Sequence, residues 1–595
     1  MKPEDVKATV TLDEVRRAVA VAAGREAGSL LLKNATLLNV LTQDIDDTHV
    51  LLAGRLIAGV GPDYADAAAD EVVDLGGKHL APGLIDGHVH IESSLVTPGA
   101  YAAGVVPRGV TAVVCDPHEI GNVAGVPGIE WLLERSERLP LDVWVTVPSC
   151  VPSTPMETAG ATLGLAEIAG VLAHRRVVGV AEIMSFPAVI AGDEENLAKA
   201  LLAEQYGKTP EGHAPGVSGR DLQAYLASGI GSDHESTTLA EGQEKLRAGA
   251  FLMIREGSVT RNLDALLPLV KPETSDRIGF VTDDRLPGDV CDEGGVDFLV
   301  RRAIASGVAP ALAVRCGSWS TARHYRLVRR GAVAPGYFAD LAVVDDVANY
   351  HVSRVYKEGR LVAADGKLCV DIPEPQVDDT PVRNTVHLPE LSAERFRLAA
   401  PAAPTVRCIR PVPYQVLTEE VRVTPTVVGG EVVADPTRDL AKLVCVERHG
   451  HSGDVGVGLV TGFGLQRGAL ASTVGHDHHN LLAVGVDDED IRVACERLEH
   501  LEGGFVAVDR GEVLAELPLP FAGLLTDRPL KEVSDTLERL DAAARELGVT
   551  LPAPYMALSF LGLAVIPELR LTDQGLVDVR PGRLVSFAAE DVSAS

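Results

Sequence analysis

The stretch Gly83–Pro98, GLIDGHVHIESSLVTP, places an apolar lead-in and an aspartate ahead of two histidines separated by a single valine. Side chains alternate across a strand, so His88 and His90 share one face while Val89 takes the other. One cation can hold both imidazoles. An HxH pair also suits ordinary surface or core histidines, so its meaning depends on what stands at the ends of the neighbouring strands.

Downstream, short β-branched runs alternate with helical stretches such as RDLQAYLASG and AEGQEKLRAG, the rhythm of parallel βα units. The runs are GLIDGHVH, TAVVCDPHE, VWVTVPSC, VVGVAEIM, a weakly marked EGHAPG, GIGSDHE, FLMIREGS and IGFVTDD. This count predicts a TIM-like (β/α)8 barrel over 81–335, and almost every run ends in His, Asp, Glu or Ser. In such barrels the reacting groups stand at the C-terminal strand ends.

The flanks have another texture. Short β runs with turns fill 1–80 after an N-terminal helix, and the same pattern returns over 336–371, as two halves of one small β-sandwich interrupted by the barrel. A Pro-rich, charged segment, 372–413, reads as a linker. The remainder, 414–595, reads as a C-terminal α/β (α+β) domain with Gly-rich β runs and one clear helix, LKEVSDTLERLDAAARELG. The fold class is therefore α/β.

A chain of 595 residues accommodates about three or four such units. Its formal charge of -30, from 84 acidic against 54 basic residues, repels phosphate backbones and anionic lipid, so neither nucleic acid nor membrane is an expected partner. The 8 cysteines form no CxxC pair, which points to reduced thiols and a cytoplasmic location. The N-terminal MKPEDVKATVTLDEVRRAV carries charge where a signal peptide needs an apolar core. The most apolar late stretch, MALSFLGLAVIP, is shorter than the ~20 residues of a bilayer-spanning helix.

The strand ends carry the chemistry. Glu182 closes a run otherwise too apolar to welcome an unpartnered carboxylate. It is either a buried hydrogen-bonded Glu or a carboxylate bridging two cations. His213, His234 and Asp283 close the fifth, sixth and eighth runs. With His88 and His90 they offer four imidazoles and two carboxylates at one barrel mouth, a set that suits a pair of borderline divalent ions. Two such ions sharing a carboxylate lower the pKa of bound water, and Asp283 is placed to accept its proton. Glu92, Ser93, Ser94, His118, Glu119, Glu235, Arg255 and Asp284 crowd the same rim as candidates for substrate recognition or for orienting the imidazoles. Arg255 and Glu119 equally suit structural salt bridges.

Beyond these residues, long stretches of wording are similar to one family. GLIDGHVHIESSLVTP, CDPHEIGNVAGVPGI, VPSCVPSTPMETAGA, GHAPGVSGRDLQAYLASGIGSDHEST, KLRAGAFLMIREGS, VTDDRLPGDV, and later TGFGLQRGALASTVGHDHHN and LPLPFAGL resemble the adenine deaminase family of the amidohydrolase superfamily. The resemblance spans about Ser29 to Arg580. It implies hydrolytic deamination of a purine, adenine, to hypoxanthine and ammonia in purine salvage, with two divalent ions, manganese or iron or else zinc. On this resemblance His88, His90, Glu182, His213, His234 and Asp283 take the metal-site positions. Asp283 then moves the proton, and Glu235 or a neighbour protonates a ring nitrogen. The other zinc route to deamination requires HxE with PCxxC, and no PCxxC occurs. A homodimer or larger homo-oligomer is expected.

The chain departs from the family wording at Gly295, where a histidine is usual, and at Cys316 to Ser320, where Met-Ala-Thr-x-Asn is usual. Those departures keep open an amidohydrolase acting on another amino-heterocycle or a cyclic amide. HDHHN, His476 to Asn480, has three readings: a further metal site, a cap on the active site from outside the barrel, or an ordered loop, with the latter two preferred. The glycines Gly456, Gly458 and Gly462 miss the dinucleotide fingerprint by one residue.

Overall fold

The computed structural model describes residues 10–373, 376–413 and 415–589, so the first nine residues of the charged N-terminal stretch lie outside it. The barrel strands are Leu84–His90, Val110–Cys115, Asp142–Val147, Val177–Ile183, Thr209–Gly212, Ser232–Asp233, Phe251–Arg255 and Ile278–Val281. The first five pair in parallel in chain order, as do the last three. Two joints close the ring. Asp283–Asp284, just past the eighth strand, pairs in parallel with Val89 and His90 of the first. Between the fifth and sixth strands the Gly212 amide donates to Ser232 Oγ at 3.1 Å, and the Ala214 amide to Asp233 Oδ1 at 2.9 Å.

The first strand has a local device that aims its histidines. Asp86 pairs with Val113 but Val89 with Cys115, so one extra residue is inserted between them. Such a bulge shifts the alternation of faces. Ile85 packs in the same apolar cluster as Val114, Met253 and Val281, and after the bulge His88 and His90 turn toward the other strand ends. Val89 packs outward with the helical layer.

The N-terminal helix Leu12–Ala22 opens on a capping box: the Glu14 amide donates to Thr11 Oγ1, and the Thr11 amide to Glu14 Oε2. The β runs on either side of the barrel join in one nine-stranded sheet. His79–Pro82 pairs antiparallel with Leu341–Asp346, which ties the residues before the barrel to those after it. Gly28–Leu38 pairs with Ile45–Ala53 on one edge and with Ala69–Asp74 and His79–Pro82 on the other, so the sheet forks and wraps its own core of Leu32, Leu37, Val50, Leu80 and Val343.

A buried ion network fastens this sheet to the barrel. Asp340 accepts from Arg330 and from Lys357 Nζ at 2.9 Å, and both cations also reach Asp142, at the start of the third barrel strand, at 2.9 and 2.7 Å. Asp340→Ala leaves two buried cations on the partly exposed carboxylates of Asp142 and Glu358, so we expect a loss of about 3–5 kcal/mol. A drop in the thermal unfolding midpoint reads it, and an unchanged midpoint contradicts it.

The segment 372–413 is packed rather than a free spacer. Asp379 accepts from Trp131 Nε1 at 2.7 Å and from Arg135 at 2.9 Å, and Val382 and Phe396 are fully buried. Val406–Pro411 is already a strand of the eight-stranded C-terminal sheet. Both faces of that sheet are covered. Val444 and Val446 pack under the helix Asp488–His500, whereas Leu443 and Cys445 join the core that runs on to the helix Leu530–Glu546. Among the described residues no helix is long and apolar enough to cross a membrane. MALSFLGLAVIP lies within the helix Pro554–Ser559, the following 3-10 turn Phe560–Gly562, and a buried loop.

Candidate metal centre

Glu182, from the fourth strand, sits among imidazoles of the other strand ends. Its Oε2 lies 2.6 Å from His213 Nδ1 and 3.2 Å from His234 Nε2; its Oε1 lies 3.6 Å from His90 Nε2 and 3.9 Å from His88 Nε2. Asp283 Oδ1 stands 3.1 Å from His90 Nε2 and 3.5 Å from His88 Nε2. All but His213 are nearly fully buried. Every side chain expected at the metal positions is therefore in one cluster.

The arrangement fits cations on three counts. His90 Nδ1 faces the Asp116 carbonyl at 2.9 Å. A carbonyl only accepts, so Nδ1 carries the proton and the Nε2 lone pair points into the cluster. His88 Nε2 and His234 Nε2 are buried without a hydrogen-bond partner. Three of the six N···O separations, 3.5 to 3.9 Å, exceed an ordinary hydrogen bond, and atoms each ~2.0–2.2 Å from a shared tetrahedral ion stand roughly 3.3–3.6 Å apart. Candidate donor groups are His88, His234 and Asp283; Glu182, His213 and His234; His90, Asp283 and Asp284; and His90, Asp116, His118 and Glu182.

Arg255 governs the electrostatics. Buried on the seventh strand, it grips Glu235 with both terminal nitrogens and donates to Asp283 Oδ2 at 2.7 Å. Burial opposes ionisation of Asp283, but Arg255 and the two first-strand histidines outweigh it and hold the carboxyl well below its usual range. Glu235 is likewise lowered against burial, chiefly by Arg255. Asp284 moves the other way, raised by burial and by the neighbouring Asp283 charge. Asp283 also has left-handed backbone (φ 58°), which a side chain rarely adopts. Such outliers concentrate at functional sites.

The other rim residues divide. Ser93 Oγ bonds Asp284 Oδ1 beside the cluster. His118 Nδ1 faces Asp116 Oδ2 at 3.1 Å, and its Nε2 faces Glu119 Oε1 at 3.4 Å. Ser94, by contrast, donates to the Ile91 carbonyl at 2.6 Å, and Glu92 accepts from the Ile120 amide at 3.4 Å, so both brace the turn that follows the first strand. Burial pushes the Glu92 carboxyl up to about 7.

The HDHHN loop, between the strands Ala469–Ser472 and Leu481–Gly485, reaches this rim from the C-terminal unit. His476 Nδ1 stands 2.6 Å from Glu119 Oε1, His479 Nε2 bonds Glu119 Oε2, and Asp477 Oδ1 lies 3.8 Å from His118 Nε2. Glu119 thus makes a salt bridge to His476 and a hydrogen bond to His479 across the two units. Burial opposes charging of His476, but Glu119 raises its pKa to about 9. Sequence reasoning missed Asp116, which orients both His90 and His118. Its signal was its place at a strand end in CDPHE.

The departures from family wording lie elsewhere. Gly295 stands against Val105 and Val110, at the entrance to the second strand. Ser318 and Ser320 bond the Val314 and Ser275 carbonyls. They sit in helix packing near the N-terminal strand ends.

Residues 79–362 match the amidohydrolase family, and residues 415–583 match the adenine deaminase C-terminal domain. Over 570 residues the chain is 42% identical to an adenine deaminase of Kosmotoga olearia, covering 96% of this chain and 98% of that protein. It is 44% identical over 567 residues to adenine deaminase 2 of Carboxydothermus hydrogenoformans (95% and 98%). It is 46% identical over 564 residues to an adenine deaminase of Methanothrix thermoacetophila (94% and 97%).

Proposed function

The chain belongs to the adenine deaminase family, and from that premise we propose that it hydrolyses adenine to hypoxanthine and ammonia at the cluster around Glu182. The observation that carries this is the convergence of Glu182 and Asp283 on the nitrogens of four imidazoles from three strand ends, two of those nitrogens buried without a partner. We assign His88, His90, Glu182, His213, His234 and Asp283 to two divalent ions, manganese or iron, with zinc as the third candidate. When bound, these ions supply a strongly activated water at neutral pH.

The reaction moves both protons of that water. Its oxygen joins C6; one proton goes to ring N1, giving the 6-oxo form of hypoxanthine, and the other to the amino group, which leaves as ammonia. Asp283, ionised by its contact with Arg255, is the acceptor for the first proton, and its Oδ1 is the oxygen that faces the cluster because Oδ2 is held by the guanidinium. Glu235 stands 3.5 Å from His234 and 3.7 Å from His213 and is the second carboxylate at the site. Because Arg255 keeps it ionised, it must take up a proton before it can give one to the ring. Arg255 sets the geometry of both. Ser93, Asp284, His118 and Glu119 form the rim that receives the base. Such an enzyme serves purine salvage, and its free cysteines accord with a reducing cytoplasm.

The metal-reconstituted full chain should release hypoxanthine and ammonia in equal amounts from adenine, and neither from the adenine-free control. Guanine, cytosine and a hydantoin serve as comparison rings. Turnover of one of those without turnover of adenine would sink the substrate assignment.

A further inference from the structure

A cavity of about 210 Å3 adjoins the cluster on the side of Ser93, and its walls come from two units of the chain. The barrel contributes Ser93 and Leu286; the C-terminal unit contributes His476, Phe505, Tyr555 and Met556. Ser93 bonds Asp284, which belongs to a candidate donor group with His90 and Asp283, so the cavity meets the rim of the site through Ser93. His476 is fixed in that wall by its ion pair with Glu119.

Two features indicate what fits there. The volume is below the ~300–1,000 Å3 usual for drug-sized ligands, which suits a single bicyclic base. Leu286, Met556 and the crossed rings of Phe505 and Tyr555, 5.2 Å apart at 63°, offer apolar surface to flat π faces. In addition, Tyr555 is only 3% exposed and its hydroxyl has no hydrogen-bond partner. Buried polar groups are nearly always paired, so this orphan calls for a partner. Adenine presents unpaired ring nitrogens that accept hydrogen bonds.

Building on the adenine reading above, we propose that this cavity seats the purine ring, with the C-terminal unit as one wall and the Tyr555 hydroxyl donating to a ring nitrogen. The C-terminal unit is then part of substrate recognition as well as a cover. It also follows that the ion pair of Glu119 with His476 and its hydrogen bond to His479 hold half of the binding pocket in place.

Tyr555→Phe and Met556→Trp, made in the full metal-loaded chain, test this through kcat, KM for adenine and metal content. Loss of one hydrogen bond should raise KM about fivefold in Tyr555→Phe, and filling the cavity should raise it more than about tenfold in Met556→Trp. Metal content should stay at the wild-type level, and kcat should change less than KM in Tyr555→Phe. A merely structural role would instead lower metal content or kcat without the split. If Met556→Trp does not fold, Tyr555→Phe decides alone, since it removes a single oxygen. KM values within twofold of wild type overturn the cavity assignment while leaving adenine deamination standing. A wild-type protein that does not turn adenine over overturns the functional reading, and the cavity assignment with it.

Discussion

Glu182→Gln is expected to lower adenine turnover at least about a thousandfold and to leave fewer than two metal ions per chain. Gln keeps the volume, so packing in the fourth strand survives. What changes is charge, at a group whose Oε1 faces three imidazoles and whose Oε2 faces two within 3.9 Å. Burial opposes the ionised form of Glu182, but His234 and His213 hold it well below the usual carboxylate range, so the native cluster is built around an anion. A neutral amide cannot bridge two cations, and its NH2 would point a donor at one imidazole. A thousandfold corresponds to about 4 kcal/mol of transition-state stabilisation. Elemental analysis and kcat measured on the same preparation check both parts. Two tightly bound ions with wild-type rate in Glu182→Gln would rule out the bridging role.

Asp283→Asn should reduce kcat by about 10²–10⁴, the usual contribution of a positioned proton acceptor, with a smaller effect on KM. Asp283 Oδ2 is occupied by Arg255 at 2.7 Å, whereas Oδ1 faces the nitrogens of His88 and His90. Arg255 retains Glu235 in the variant, so the seventh strand stays neutralised and the fold is preserved. Single-turnover rates with bound adenine separate the chemical step from binding. A kcat within threefold of wild type would contradict the assignment of Asp283.

Much of the barrel was legible because each strand combines an apolar run with a polar end, and the helices between them carry helical periodicity. The fifth strand was faint for a physical reason. Glu211 stands in it fully buried, supported by Tyr325 OH at 2.8 Å, His324 Nε2 at 3.1 Å and Ser232 Oγ at 3.3 Å. A polar strand residue satisfied by distant partners erases the hydrophobic signal that marks a strand. The bulge between Asp86 and Val89 was also invisible, since an extra residue shows only once the neighbouring strand supplies a register. Simple alternation still put His88 and His90 on one face, since the register shift between Asp86 and Val89 leaves both imidazoles turned into the cluster.

The site divides in the same way. Its donor set could be read from residue types at strand ends, whereas the partners of Glu119 could not. His479 is 360 residues further along the chain, and only the fold brings the HDHHN loop to the barrel rim. Pro-rich composition likewise made 372–413 look like a spacer, although Asp379, Val382 and Phe396 pack it down. Composition reports what a segment contains, and a handful of anchoring contacts decides whether it is held.

The most direct test is a titration of Mn2+ into metal-stripped full-length protein, following conversion of adenine to hypoxanthine. No turnover without metal, then a rise that ends at two ions per chain, is the predicted result. Full activity in the stripped protein, or saturation at a single ion, would contradict a catalytic centre built from His88, His90, Glu182, His213, His234 and Asp283.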